Sequence, residues 1–411
     1  MLGVSSYLRK LGRIGQTGQR SLVMMVEPEM LKIQTWMEKI FKTSDCDVTL
    51  LSRSGGYVGD VIFTKVVVGE NEHHLAVKLG KKDYESRRLM PIQAACRREI
   101  LFYNEILPAF NDLQKEKAVA RPFDAVPKCY ATFIDRNSEV IVLENLLKRG
   151  YEMHKGSVPL NVDHLKMGLR NFAKFHALSF ALRDQKSDVF EKITANSQHI
   201  YRSSVGVMKD IYAGYVGRVL TRLEAAGEHQ LSKSYQKLVE GGAGRLFLDI
   251  YDAEPKESVL THCDCHNNNF FFKYQNNNKL TPVDMKIIDF QISCLHSPIL
   301  DLSYFWYTAI SKNEVPHFEG LMEFYHQELT DFMDQLGTNV DQVFPVSTLW
   351  EHWDKYSKFG FMMASLYMDV LLFEKEELEL EFDANTEAKR ELREAYSERL
   401  CSIVQHFFKR S

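Results

Sequence analysis

The sequence predicts an α+β chain in which an antiparallel-sheet lobe precedes a mainly helical one, on three observations. From Val48 to Leu79, β-branched and aliphatic residues alternate between glycine-rich breaks, the pattern of half-buried strands. Cys96, Ile100, Tyr103 and Leu107 then recur at helical spacing. After Glu144-Asn145 the period changes, and helical patterning dominates the rest of the chain.

The elements follow in order. Val48 to Val68 surrounds Ser54-Gly55-Gly56-Tyr57-Val58-Gly59 and reads as strand, glycine turn, strand. His74-Leu-Ala-Val-Lys-Leu79 is a third strand, with Ala76 and Lys78 on one face and Leu75, Val77 and Leu79 on the other. The helix through Cys96 carries Glu99 and is expected to close at Pro108. Residues 129–135 and 139–145 are two more strands around Arg136-Asn137-Ser138. These elements make a first lobe of residues 29–145. In the second lobe, 146–411, Leu165, Leu169, Phe172, His176 and Ser179 share a helix face, where His176 is expected as a hydrogen-bonded core histidine. A strand–loop–strand island lies between Leu260 and Phe290. An amphipathic helix with Leu392, Tyr396, Leu400, Ile403 and Phe407 ends the chain. The acidic run Glu374 to Glu381 reads as a solvated linker or helix face.

Bulk properties narrow the function. At 411 residues the chain exceeds one ordinary core, and its 45% hydrophobic and 26% charged residues are those of a packed globular protein. Lys and Arg total 51 against 55 for Asp and Glu, so no broad electrostatic footprint for nucleic acid exists. Seven scattered cysteines argue against a disulfide framework and for a reducing compartment, so a cytoplasmic location is expected. The most apolar stretch, Phe359 to Phe373, contains Asp369 and falls short of the roughly 18 to 20 residues that span a bilayer. Residues 1–28 read as a basic leader; Arg9, Lys10, Arg13 and Arg20, with Leu8, Leu11 and Ile14 at helical spacing, also admit a weak organellar presequence.

One constellation carries chemistry. In His262-Cys-Asp264-Cys-His-Asn-Asn-Asn269 an Asp is followed five residues later by an Asn, and Lys286-Ile-Ile-Asp289-Phe290 follows as an apolar strand ending in Asp. Phosphoryl transfer needs this inventory. Asp264 holds an acceptor hydroxyl and takes its proton, while Asn269 and Asp289 supply hard oxygen ligands to Mg²⁺ on the ATP phosphates. Lys78 neutralises the phosphates, Glu99 holds that lysine, and the turn at Gly55, Gly56 and Gly59 covers them with backbone N–H groups. Zinc is disfavoured for His262, Cys263, Cys265 and His266, because contiguous residues do not converge on one tetrahedron.

At these residues the chain resembles the ecdysteroid kinase-like family, relatives of choline kinases and aminoglycoside phosphotransferases. The resemblance covers about residues 30 to 410. It rests on Arg98-Glu-Ile-Leu-Phe-Tyr103 with Leu107-Pro108, Val142-Leu-Glu-Asn-Leu-Leu-Lys-Arg-Gly-Tyr151, Lys174-Phe-His-Ala-Leu-Ser179, Thr261 to Tyr274, Ile288-Asp-Phe-Gln291 and Ser297-Pro-Ile-Leu-Asp-Leu302. It implies the two-lobed protein-kinase-like fold, ATP and Mg²⁺ as cofactors, and transfer of phosphate to a small-molecule alcohol, ecdysteroids being the named substrate. By position it implies Asp264 as base, Asn269 and Asp289 as metal ligands, and Lys78, Glu99 and Glu144 among the nucleotide-binding residues. Asp301 would support the catalytic loop. One position departs from the family pattern H-G-D: Cys263 stands where glycine is expected, and a positive φ there would strain it.

Three readings therefore stand: an ecdysteroid-type alcohol kinase, a choline- or aminoglycoside-type kinase, and an inactive kinase-fold binding protein. A steroid-like acceptor is favoured because Asp301 is the only acidic residue between Phe290 and Ile310, whereas Ile292, Leu295, Ile299, Leu300, Phe305 and Trp306 offer apolar surface. The aromatic run Tyr304 to Tyr307 reads more simply as core packing than as a cage for a cation.

Overall fold

A computed structural model describes residues 27–410 other than 57, 136–137, 155–157, 207, 277 and 373–386. The chain divides into two compact units. One holds the described residues up to Ile100 with Val126–Gly150; the other holds Leu101–Ala125 and the chain from Tyr151 onward. The acidic run and residues 1–26 of the basic leader lie outside the described residues.

The first unit is an antiparallel sheet of five strands, β1 (Asp47–Gly55), β2 (Gly59–Val68), β3 (Asn71–Gly80), β4 (Cys129–Asp135) and β5 (Ser138–Glu144), in the order β1-β2-β3-β5-β4. Alternation gives one apolar face, formed by Ile62, Val66, Leu75, Val77, Leu79, Val140 and Val142. Ile33 and Met37, one turn apart on the helix Glu27–Phe41, close over it. Each such side chain contributes roughly 1.5–3 kcal/mol by leaving water. Ala76 and Lys78 fall on the opposite face, half-buried.

The helix Ile92–Leu101 does not close at Pro108. It passes through a π-helical turn, Phe102–Ile106, and resumes as Leu107–Glu116. Pro108 stands in the first turn of that resumed helix, where its missing N–H costs nothing, and the wide turn before it, with Leu107 N–H bonded to Phe102 O, relieves the clash a proline ring makes in a regular helix.

In the second unit the long helix Val162–Gln185 begins at Asn161, whose side-chain oxygen accepts the N–H groups of Asp163 and His164 at 3.1 Å each. It packs on the helices Phe318–Leu336 and Ile299–Ala309. The latter meets the helix Lys358–Leu372 backbone to backbone: a Cβ on Gly360 would lie 2.1 Å from the Ser303 carbonyl carbon, so no larger residue fits. Tyr304, Phe305, Trp306 and Tyr307 are all buried in the core, as are Ile292, Ile299 and Leu300. The apolar wall expected from these residues is therefore core surface. Tyr396, Leu400, Ile403 and Phe407 of the helix Glu387–Arg410 are likewise buried. Two small antiparallel sheets complete the unit. One joins β6 (Tyr151–Met153), β8 (Phe270–Tyr274) and β9 (Pro282–Ile287); the other pairs β7 (Val259–Thr261) with β10 (Cys294–His296). Among the described residues no helix is long and apolar enough to cross a membrane.

Burial holds His296 and His406 neutral, lowering each to about 4. With native values below the ordinary 6.5 or so, the unfolded chain takes up these protons first as pH falls. Their stabilisation is complete above pH 6.5 or so and is lost between there and pH 4 or so. Urea unfolding at pH 5 is expected to show a loss on the order of 2 kcal/mol per histidine relative to pH 7. Equal midpoints and slopes at the two pH values would contradict this.

Candidate active site

The site residues expected from the sequence fall into two groups, one per unit. In the first unit Lys78 projects from β3, and its Nζ lies 2.5 Å from Oε2 of Glu99 on the helix Ile92–Leu101. The Glu99 side chain is only 1% exposed, so the lysine is what makes burial of this carboxylate tolerable. Gly55 ends β1, Gly56 N–H donates to Gly59 O at 2.8 Å, and Gly59 opens β2. Only glycine fits at 59, where a Cβ would stand 2.4 Å from Leu79 O. Glu144, at the end of β5, accepts from Lys128 N–H at 2.9 Å and lies 3.5 Å from Arg149 Nε, so its carboxylate is engaged within its own unit.

In the second unit the loop between β7 and β8 brings Asp264 and Asn269 together. Asn269 Nδ2 donates to Asp264 O at 2.8 Å, and Ile288 N–H donates to Asn269 O at 3.1 Å, which ties the loop to the segment carrying Asp289. His262 braces the same pair of segments: its Nε2 lies 2.8 Å from Ile288 O, and its Nδ1 accepts Asp264 N–H at 3.1 Å. A backbone N–H and a backbone carbonyl at the two ring nitrogens assign the neutral tautomer protonated on Nε2. With both nitrogens engaged, His262 has none left for zinc. Asp289 sits at φ +73°, in the left-handed region, and its Oδ2 accepts from Gln291 Nε2 at 3.2 Å.

Asp301 holds the loop from below. Its Oδ2 accepts His262 N–H and its Oδ1 accepts Cys263 N–H, both at 2.7 Å, while His176 Nε2 lies 3.1 Å from Oδ2. Burial alone would push this carboxyl up, but the hydrogen bond and charge of His176, with the backbone N–H of His262, outweigh it and hold Asp301 below the ordinary carboxylate value. His176 is completely buried, with Tyr325 OH 2.9 Å from its Nδ1.

Cys263 does adopt positive φ, at +69°, and so carries the left-handed strain foreseen for a side chain at this position. Its Sγ lies 3.5 Å from Cys294 Sγ, both residues are buried, and burial and the second sulfur push the Cys263 thiol well up. Cys263→Gly is expected to leave phosphotransfer equal or higher, because glycine relieves on the order of 1 kcal/mol of backbone strain without touching Asp264. A large loss of turnover would give the thiol a role of its own.

Sequence reasoning did not find the brace made by His262, the sulfur pair with Cys294 or the left-handed turn at Asp289. The one available signal was the histidine two residues before Asp264.

Comparison with known proteins adds to this geometry. No curated protein matches the chain. The GDP complex of wild-type aminoglycoside 2'-phosphotransferase-IIIa is similar at 14% identity and a TM-score of 0.38, over 90% of this chain and 98% of that one. The GDP complex of a mutant of that enzyme gives 12% and 0.39, over 93% and 99%. A further kinase domain gives 10% and 0.27, over 80% and 93%. The model of the ecdysteroid kinase-like family matches residues 56–338. That span is more than half of the sequence and contains strands β2 to β5 of the sheet and the segments with Asp264, Asn269, Asp289 and Asp301, so the chain belongs to the ecdysteroid kinase-like family.

Proposed function

We propose that this protein is an ATP- and Mg²⁺-dependent small-molecule kinase that phosphorylates an alcohol, of which a hydroxylated, uncharged, largely apolar compound such as an ecdysteroid is the best fit. The observation that carries the reading is the hydrogen-bonded grouping of Asp264, Asn269 and the Asp289 segment in one unit. In this reading Asp264 orients the acceptor hydroxyl and takes its proton as the oxygen attacks the γ-phosphorus and ADP leaves.

The donor set suits a hard cation. Asn269 has its amide nitrogen on Asp264 O, which leaves its carbonyl oxygen as the donor atom, and Asp289 adds a carboxylate. Magnesium, when bound, neutralises charge on the nucleotide phosphates. Lys78, fixed by Glu99, is assigned to those phosphates, and the backbone N–H groups around Gly55, Gly56 and Gly59 are assigned to cover them. Glu144 belongs to the same nucleotide-binding set through its place at the end of β5.

The test is phosphate transfer by the full chain from Mg-ATP to ecdysone, choline and an aminoglycoside in parallel, with and without excess chelator. Chelator-sensitive transfer to ecdysone supports the reading. Preference for either cation shifts it to a choline- or aminoglycoside-type kinase, and transfer to none supports a binding protein.

A further inference from the structure

Two buried thiols meet at the neck of the segment that carries Asp264, Asn269 and Asp289. Cys263 Sγ and Cys294 Sγ lie 3.5 Å apart, and the residues are 0% and 1% exposed. Both backbones are fixed. Cys294 opens β10 and pairs with Thr261 at the end of β7, where Thr261 Oγ1 also stands 3.4 Å from the Cys294 sulfur. Two residues on, the left-handed turn at Cys263 is held by the hydrogen bond from its N–H to Asp301. The sulfur contact is thus set by a strand ladder on one side and a buried carboxylate on the other.

The pair is particular to these two positions. All seven cysteines are free, and among the described residues no other two cysteine sulfurs come together. Among the same residues no third His, Cys, Asp or Glu joins the pair to hold a metal ion. Cys263 stands where the family pattern has glycine, at a φ that glycine adopts freely and a side chain does not. The two cysteines are 31 positions apart, and the three residues assigned to the chemistry lie between them.

We propose that Cys263 and Cys294 form a redox-sensitive pair, which hydrogen peroxide converts to a disulfide that lowers phosphate transfer at the adjoining Asp264. The activity lost rests on the kinase reading; the bond itself does not. One sulfur attacks the peroxide O–O bond and becomes a sulfenic acid as water leaves, and the second displaces the sulfenic oxygen as another water. The two thiols give up two hydrogens and two electrons, and one peroxide is reduced to two waters. Bond closure draws the sulfurs from contact to bonding distance, and Asp264, the next residue, moves with Cys263. A displacement of about 1 Å at a reacting group costs on the order of 10²-fold in rate. Burial pushes the Cys263 thiol well up, and a protonated thiol reacts slowly, so the pair answers sustained peroxide and not brief exposure.

The test incubates the full chain with hydrogen peroxide, alkylates the remaining thiols in denaturant and maps unreduced peptides by mass spectrometry. A peptide linking Cys263 to Cys294 is expected, and dithiothreitol is expected to remove it. Transfer from Mg-ATP to ecdysone in the same samples is expected to fall about 10-fold or more and to return on reduction. Cys294→Ser and Cys263→Gly each remove one sulfur and leave Asp264 in place; both are expected to form no link and to keep their turnover in peroxide. Absence of the linked peptide overturns the proposal, as does a link through Cys265. So does a link with unchanged turnover, or a loss of turnover in the two variants equal to that of the wild type. If the link forms and the reduced protein phosphorylates no acceptor, the sulfur pair stands and the kinase reading falls.

Discussion

Asp264→Asn is expected to lower phosphate transfer to the acceptor alcohol by at least about 10²-fold while ATP binding is retained. The substitution is nearly isosteric, and the contacts that shape the loop survive it. Asp264 holds Asn269 through its backbone carbonyl and His262 through its backbone N–H, neither of which changes. What disappears is an anionic oxygen able to take the hydroxyl proton. Turnover near that of the wild type would remove Asp264 from the proposed role. Intact folding with lost turnover is readable by comparing urea unfolding and nucleotide titration of the two proteins.

Asp301→Ala is expected to destabilise the fold by roughly 3–5 kcal/mol, the cost typical of breaking a buried charged network by removing one partner. The side chain is fully buried, and its loss leaves the N–H groups of His262 and Cys263 without their acceptor and His176 without its anion. Asp301→Asn, which keeps one acceptor oxygen, should recover part of the difference. Chemical denaturation of both variants checks this, and a loss under about 1 kcal/mol for the alanine variant would show that water replaces the carboxylate.

The order of sheet and helices was legible because it is written in local periodicity: the alternation through Leu75, Val77 and Leu79 and the helical spacing from Leu165 to Ser179 are properties of short windows. The grouping of Asp264, Asn269 and Asp289 was legible for a related reason, since a hairpin-like island keeps residues close in sequence close in space. Lys78 and Glu99 could be paired because a strand face and a helix face each point one way. Less legible was whatever depends on distant segments or on backbone shape. Periodicity stopped the helix at Pro108, because it has no means of signalling a π-helical turn. Cys294 lies 31 residues from Cys263. Ile292, Ile299, Leu300, Phe305 and Trp306 were read as apolar surface for an acceptor where they are core, because an apolar stretch looks the same in either setting.

The grip of Asp301 on two successive N–H groups implies that the turn before Asp264 is over-determined. Two hydrogen bonds to a charged acceptor contribute about 1.5–3 kcal/mol each, more together than the 1 to 2 kcal/mol or so that a side chain forfeits at left-handed φ. The tethered anion, and not the intrinsic preference of residue 263, therefore selects the conformation. The position has become permissive: the turn accepts a cysteine today, and by the same arithmetic it has room to drift among small side chains while the aspartate next to it keeps its aim.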